Sequence, residues 1–424
     1  MAAETQLIEI GFLFAAVAAV GLLATRLNQS VIPFYIVAGM LLSTHVLGTI
    51  DFAAFLGIDA LPHGEALALD GSGEFVHLSA ELGIVFLLFF LGLEFNLDRL
   101  LAAKERIGKA GTIDLVINFG IGLALGWFIF GAPLPAFLVA GIVYISSSAI
   151  ITKSLIDLGW IANDEANPML GTLVYEDLFI AVYLAIASAL VVGGGDVGQA
   201  LESIGIAMGF LIVLLLLVYF GTAWFQRSLE TSSNEFLVLR ALGILVLIAG
   251  AALALGVSEA VAAFFVGMAF SSTDHVHDLE QLLEPVRDTF AAIFFFWIGL
   301  ETNPALFVDV AALIAVAAIL TTPTKLVSGY LGGRVYDLDE RRSLRVGLGM
   351  TTRGEFSLII ASLAVTTGTV LSDGVAADIY AFAVGYVLLM SILGTTLMQN
   401  SARVERIVVP RLEGATPTAQ PTDD

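Results

Sequence analysis

Apolar stretches of bilayer length follow one another along this chain with only short polar interruptions, and few folds accommodate such a pattern. A helix needs about 20 apolar residues to cross a hydrocarbon core of ~30 Å. Hydropathy and helix breakers predict thirteen spans: 7–25, 31–50, 77–97, 112–131, 134–158, 168–192, 199–225, 235–255, 257–272, 286–302, 305–332, 343–367 and 378–400. In lipid every backbone polar group must be satisfied internally, so runs this long are expected to be helices. Composition agrees, with 58% hydrophobic and 13% charged residues where soluble domains carry about 25% charged. The expected fold class is an all-α polytopic membrane protein. Glu4 and Glu9 replace the basic region of a signal peptide, so 7–25 is expected to be a retained span.

The basic residues set the orientation. With the N-terminus outside and the C-terminus cytoplasmic, the inner loops hold sixteen of the 18 Lys and Arg residues, and the outer loops hold none. The other two, Lys325 and Arg353, lie inside predicted spans. The net charge of −21 comes mostly from acids in loops and at helix ends, such as Asp51, Asp59, Glu65, Asp70 and Glu74. Molar salt screens such repulsion over about 3 Å, which suggests a salt-loving source. The same sign argues against nucleic-acid partners. Cysteine is absent, which excludes disulfides and thiol chemistry. No Walker loop, dinucleotide fingerprint or nucleophile elbow is present, so the chain reads as neither an enzyme nor an ATP-driven pump, and no cofactor is expected.

An odd span count implies an organisation. If 199–225 is a linker helix, residues 7–192 and 235–400 are two six-span repeats of inverted topology. Residues 51–76 read as an acidic, Gly-rich loop, and 401–424 as a disordered cytoplasmic tail. The matched spans of the two repeats share odd features. Span 134–158 is interrupted by Ser146, Ser147 and Ser148, and its counterpart 343–367 by Thr351, Thr352, Arg353, Gly354 and Glu355. Hydroxyl runs in membrane helices often bond back to carbonyls or join helices. Two of them in matched spans predict an unwound crossing that offers carbonyls to a cation.

Charge inside the membrane marks the candidate site. Glu176 and Asp177 lie together about 12–14 Å from the Pro168 end of span 168–192. A carboxylate near the bilayer centre costs roughly 2.5–3.5 kcal/mol and marks a functional site by default. Lys325, about 10 Å from the inner end of its span, lies at a depth from which it can meet Asp177. A static ion pair would leave one acid unmatched. Arg353 is expected to balance Glu355 or a helix C-terminus, a structural role, with Glu355 as a proton relay in the other reading. Weaker signals are His275 and His277, expected on a solvated loop in preference to a metal site, and Gly120, Gly122 and Gly126, expected in close helix packing. Glu81 and Glu94 are expected near the ends of span 77–97.

Five segments, 81–100, 146–159, 174–184, 263–303 and 345–360, resemble the monovalent cation:proton antiporter-2 family, in its Kef-type and Nap/Nha-type branches. RGEF (353–356) and FFFWIG (294–299) are the more specific parts, and the likeness runs from about residue 10 to residue 400. The resemblance implies a thirteen-helix homodimer with two crossed broken helices and a separate dimerisation domain. It implies that Asp177 is the ion-binding aspartate and that Lys325 pairs with the residue before it, here Glu176. Other members carry Asp, Asn or Gln at that place, so this chain departs from the pattern. Kef-type members carry a cytosolic nucleotide-binding domain, which here would have to be a separate regulatory subunit.

Together these readings predict a plasma-membrane antiporter exchanging Na⁺ or K⁺ for H⁺. Asp177 binds the metal ion or a proton, never both, and Ser146–Ser148 complete the cation's shell. The alternatives are a K⁺ uniport or channel-like pathway and a sodium-coupled symporter for an organic anion. A non-transporting scaffold leaves the mid-membrane charges unexplained.

Overall fold

The computed structural model describes residues 2–27, 29–50, 68–71, 73–94, 97–192, 224–231, 233–255, 258–366 and 371–413, with scattered positions between 205 and 221. The chain runs α1 (Ala2–Arg26), α2 (Val31–Leu42), a 3₁₀ turn at Leu47–Thr49, α3 (Glu74–Glu94), α4 (Leu97–Phe130), α5 (Pro133–Tyr144), α6 (Ser148–Asp157) and α7 (Ala166–Val192). It continues with α8 (Asn234–Ala254), α9 (Glu259–Ser271), α10 (Val276–Glu301), α11 (Leu306–Val335), α12 (Glu340–Gly349), α13 (Glu355–Thr366), α14 (Asp373–Gln399) and α15 (Ser401–Glu413). Among the described residues, eight helical segments are long and apolar enough to cross a membrane, and three shorter apolar helices accompany them. The chain is therefore a multi-pass membrane protein. Most of span 199–225, residues 51–67 of the acidic loop and Gly256 lie outside the described residues.

Helix contacts repeat between the halves. α2 packs on α10 as α3 packs on α9; α4 packs on α5 and α7 as α11 packs on α12 and α14. Two interlocked copies of one plan would produce this pairing. Small residues allow the close approach: a Cβ on Gly39 or Gly299 would strike the backbone between α2 and α10, and one on Gly92 or Gly267 that between α3 and α9. The second set of contacts shows the same device. A Cβ on Gly126 would lie 2.6 Å from the Cα of Ala136, and one on Gly329 would lie 2.7 Å from that of Gly347. Backbones this close gain dispersion and exclude lipid without large side chains. Gly122 packs as expected; Gly120 does not, since nothing lies within 4 Å of a Cβ there.

Two boundaries differ from the hydropathy reading. α4 begins at Leu97, well before 112, because the basic stretch Lys104–Lys109 continues the helix beyond the apolar part. α10 begins at Val276 and carries Pro285 within it, so His277 lies in a helical turn, where its ring bonds the Gln281 side chain at 2.8 Å, and His275 is the N-cap. Among the described residues no cluster of three potential metal ligands forms. Glu81, about two turns inside α3, pairs with His77 at 3.5 Å.

The tail corrects a further expectation. Ser401–Glu413 is helical, and Glu405 is only 5% exposed. Glu405 accepts from Arg341 at 2.5 Å and from Arg345 at 2.7 Å, which ties α15 to α12. Val404 and Val408 stand at helical spacing, but the arginines around them give the segment a polar composition that hides it. Residues 414–424 lie outside the described residues.

Candidate ion-binding site

Two helices break at mid-length and cross where they break: 145–147 separate α5 from α6, and 350–354 separate α12 from α13. Hydroxyl side chains offer the backbone local partners in place of the helical ladder. Ser147 caps α6 by accepting from Ile150 N at 3.3 Å, and Thr351 closes α12 by donating to Leu348 O at 2.7 Å. Gly354 lets the two unwound segments touch, because a Cβ there would overlap the Ser147 side chain. Ser357 donates to Ile142 O at 2.7 Å, and Ser146 Oγ to Met350 O at 3.3 Å, lacing one break to the other.

Each break leaves carbonyls at one helix end and N–H groups at the other. Arg353, fully buried, donates to Val143 O at 2.9 Å, Met350 O at 3.2 Å, Thr351 O at 3.1 Å and Thr352 O at 2.9 Å. It meets the C-terminal ends of both α5 and α12, which is the second of its two expected placements. Glu355 turns the other way, accepting from Ser147 Oγ at 2.7 Å and from Ala149 N at 3.3 Å near the start of α6. A cation thus faces two negative helix ends and an anion faces a positive one, as the helix dipole favours.

α7 lays its acid pair against this crossing. Glu176 accepts from Ser146 N at 2.6 Å, from Ser146 Oγ at 3.0 Å and from Lys325 Nζ at 2.6 Å. Asp177, the next residue and so about 100° further round the helix, accepts from Ser148 Oγ at 3.3 Å. The hydrogen bonds of Lys325 run to Glu176 and to Asp114 Oδ2, each at 2.6 Å. The ammonium also lies 5.1 Å from the centroid of the Tyr144 ring. All four charged side chains are at most 6% exposed.

A cavity of about 740 Å³ separates the group α2, α3 and α10 from the group α6, α13 and α14. Its wall reaches Ser148, the residue that bonds Asp177, and Glu355. At its other end lie Lys153, Asp157, Glu284 and Arg287. Hard monovalent cations want several oxygens, and the carboxylate of Asp177 and the hydroxyl of Ser148 are of that kind.

The sequence-derived set is brought to one place: Ser146 links Glu176 and Lys325 to the Met350 carbonyl that Arg353 also holds, while Ser147 bonds Glu355 and Ser148 bonds Asp177. Thr351 and Thr352 stand apart, the first bonding its own helix and the second burying a hydroxyl with no hydrogen-bond partner. Asp114, Asn118 and Ser328 were not foreseen, although they complete the surroundings of Lys325. The signal for Asp114 was present, a carboxylate followed by an apolar run, but an assumed helix start at 112 placed it at a span end.

Crossed broken helices that frame a buried acid pair and its lysine define a membrane ion exchanger by architecture. The chain belongs to the sodium/hydrogen exchanger family, in its transmembrane part, which it matches over residues 12–399. It is 35% identical over 403 residues to the K(+)/H(+) antiporter subunit KhtU of Bacillus subtilis (strain 168), covering 94% of each chain. It is 30% identical over 336 residues to the ammonium/H(+) antiporter subunit AmhT of Alkalihalophilus pseudofirmus, covering 78% of this chain and 82% of that one. The solved sodium proton antiporter MjNhaP1 from Methanocaldococcus jannaschii shares the fold, with a TM-score of 0.69 at 14% identity over 92% of this chain and 99% of that one.

Proposed function

We propose that this chain is a secondary antiporter exchanging Na⁺ or K⁺ for H⁺, with cation and proton competing for Asp177. One observation carries the reading: of two adjacent carboxylates, Glu176 is bound to Lys325 while Asp177 faces Ser148 at the end of the cavity. Ionised Asp177 binds a hard cation, helped by Ser148 Oγ and the freed carbonyls of the break. When the cation leaves, a proton takes its place. Either occupant reduces the charge that must cross a low-dielectric barrier, whereas the empty carboxylate is held back by its desolvation cost. The group containing the broken helices then moves against α2, α3 and α10, closing the cavity on one side and opening the site to the other. Names of relatives support the class of cargo, since they are called K(+)/H(+) and Na(+)/H(+) antiporters.

The positive-inside distribution supports a cytoplasmic position for Lys153 and Arg287, and with it a cavity that faces inward and an N-terminus outside in the plasma membrane. A homodimer and a separate cytosolic regulatory subunit complete the proposal; the name of KhtU as a subunit supports the latter. The test is dissipation of a preset pH gradient in proteoliposomes on addition of Na⁺, K⁺ or Li⁺ in turn. Wild type collapses the gradient with at least one of them, and Asp177→Asn does not. Cation flux that moves no protons marks a uniport and rejects the proposal.

A further inference from the structure

Lys325 carries one positive charge, and two carboxylates hold it. Glu176 and Asp114 each lie 2.6 Å from Nζ, and all three side chains are at most 2% exposed. A static pair needs only one acid, so the second calls for a reason. The surroundings of the two carboxylates differ. Asp114 is held between two long, unbroken helices: on α4, Asn118 Nδ2 donates to its Oδ1 at 2.9 Å, and on α11, Ser328 Oγ does so at 2.6 Å. Thr324 donates to Asn118 Oδ1 at 2.9 Å, which fixes the amide with its NH₂ toward Asp114. Every donor around Asp114 therefore favours a fixed, ionised acceptor. Glu176 takes its other two hydrogen bonds from Ser146, within the unwound segment beside the cargo site.

We infer that Asp114 is a positioning residue of the exchange site: as the standing counter-ion of Lys325, it frees Glu176 to turn from the ammonium toward the cation beside Asp177. This rests on the reading of Asp177 as the exchange site. With Glu176 alone, that turn would strand a buried ammonium, which the interior opposes strongly. With Asp114 in place, Lys325 keeps a partner throughout. Glu176 then acts as a second oxygen ligand, and its release is set by Asp114.

The test is a double-mutant cycle in proteoliposomes, reading the cation KM and kcat of wild type, Asp114→Asn, Glu176→Gln and the double variant. Asp114→Asn confines Glu176 to Lys325, so KM rises about tenfold while kcat changes by less than about threefold. In the Glu176→Gln background the same substitution changes KM by less than about twofold, because the group it acts through is gone. An equal rise in both backgrounds, or no rise in either, overturns the inference. If Asp114→Asn does not fold, as judged by size-exclusion profile, Asp114→Glu decides: it keeps the charge and leaves KM within about threefold of wild type. A larger rise that persists with Glu176→Gln marks a packing role and overturns it. Failure of the wild type to exchange any cation for protons would defeat the proposed function; an active wild type with an additive cycle defeats this inference alone.

Discussion

Arg353 shows how a charge inside a membrane is justified by groups that carry no formal charge. Four carbonyls from two broken helices converge on it, and it makes no hydrogen bond to Glu355. Truncation to Arg353→Ala would leave those carbonyls buried and unpaired. The expected loss is about 3–5 kcal/mol, in the range for breaking a buried charged contact, and a thermal-unfolding series in detergent would read it as a lowered midpoint. Arg353→Lys should not restore stability, because one ammonium cannot replace both Nε, which holds Val143 O, and Nη1, which holds the carbonyls of Met350, Thr351 and Thr352. An unchanged midpoint in the alanine variant would contradict this account of the crossing. The residues of the candidate site were legible where charge or clustered hydroxyls interrupt apolar sequence: Glu176, Asp177, Lys325, Ser146–Ser148, Arg353 and Glu355. Asn118 and Ser328 were not, since a single neutral polar residue in a membrane helix carries no sign of which neighbour it serves. The partner of Lys325 also needed three dimensions, because spacing places residues 176 and 177 at nearly the same depth.

Helices pack here through matched small residues, and that gives the elements their own tests. A Cβ on Gly333 would lie 2.7 Å from the Cα of Ser343, at the contact of α11 with α12. Gly329→Leu or Gly333→Leu should therefore push α12 off α11 and lower the unfolding midpoint, whereas Gly120→Leu, facing open space, should leave it within error. The C-terminal helix responds to pH. Burial acts to raise the Glu405 carboxyl, but hydrogen bonds and charge from Arg345 and Arg341 outweigh it and hold the group below its usual range. A depressed acid stabilises the docked state above its unfolded pKa and loses that contribution as pH falls through the folded value. Protection of the amides across 401–413, taken relative to their intrinsic exchange rate at each pH, should thus be high at neutral pH and fall once acid protonates Glu405. Glu405→Gln should show fast exchange already at neutral pH, and equal protection in both proteins would contradict the docking argument. Element type was readable from hydropathy in the apolar spans that the structure describes, while the tail helix and the helix ends were not: α4 and α10 extend into polar sequence, where charged residues form good helix without an apolar signal.

At the scale of the molecule, two groups of helices face each other across a cavity whose wall reaches Ser148, the residue that bonds Asp177. The repeated helix contacts supply a mechanical reason for two arrangements, since interchanging the roles of two like halves turns an opening on one side into an opening on the other. The sequence indicated this plan through its matched interruptions, but it could not show which surfaces meet. The central claim is that one carboxylate is a seat taken in turn by metal ion and proton, and proton release on cation binding tests it most directly. Calorimetric titration of the purified protein with Na⁺ or K⁺, in buffers of different ionisation enthalpy and across roughly pH 5 to 9, yields the number of protons released per cation bound. The account predicts a release approaching one proton per cation at the acid end, declining as pH rises, and absent in Asp177→Asn. Cation binding that releases no protons at any pH, or release that survives the loss of Asp177, would contradict it.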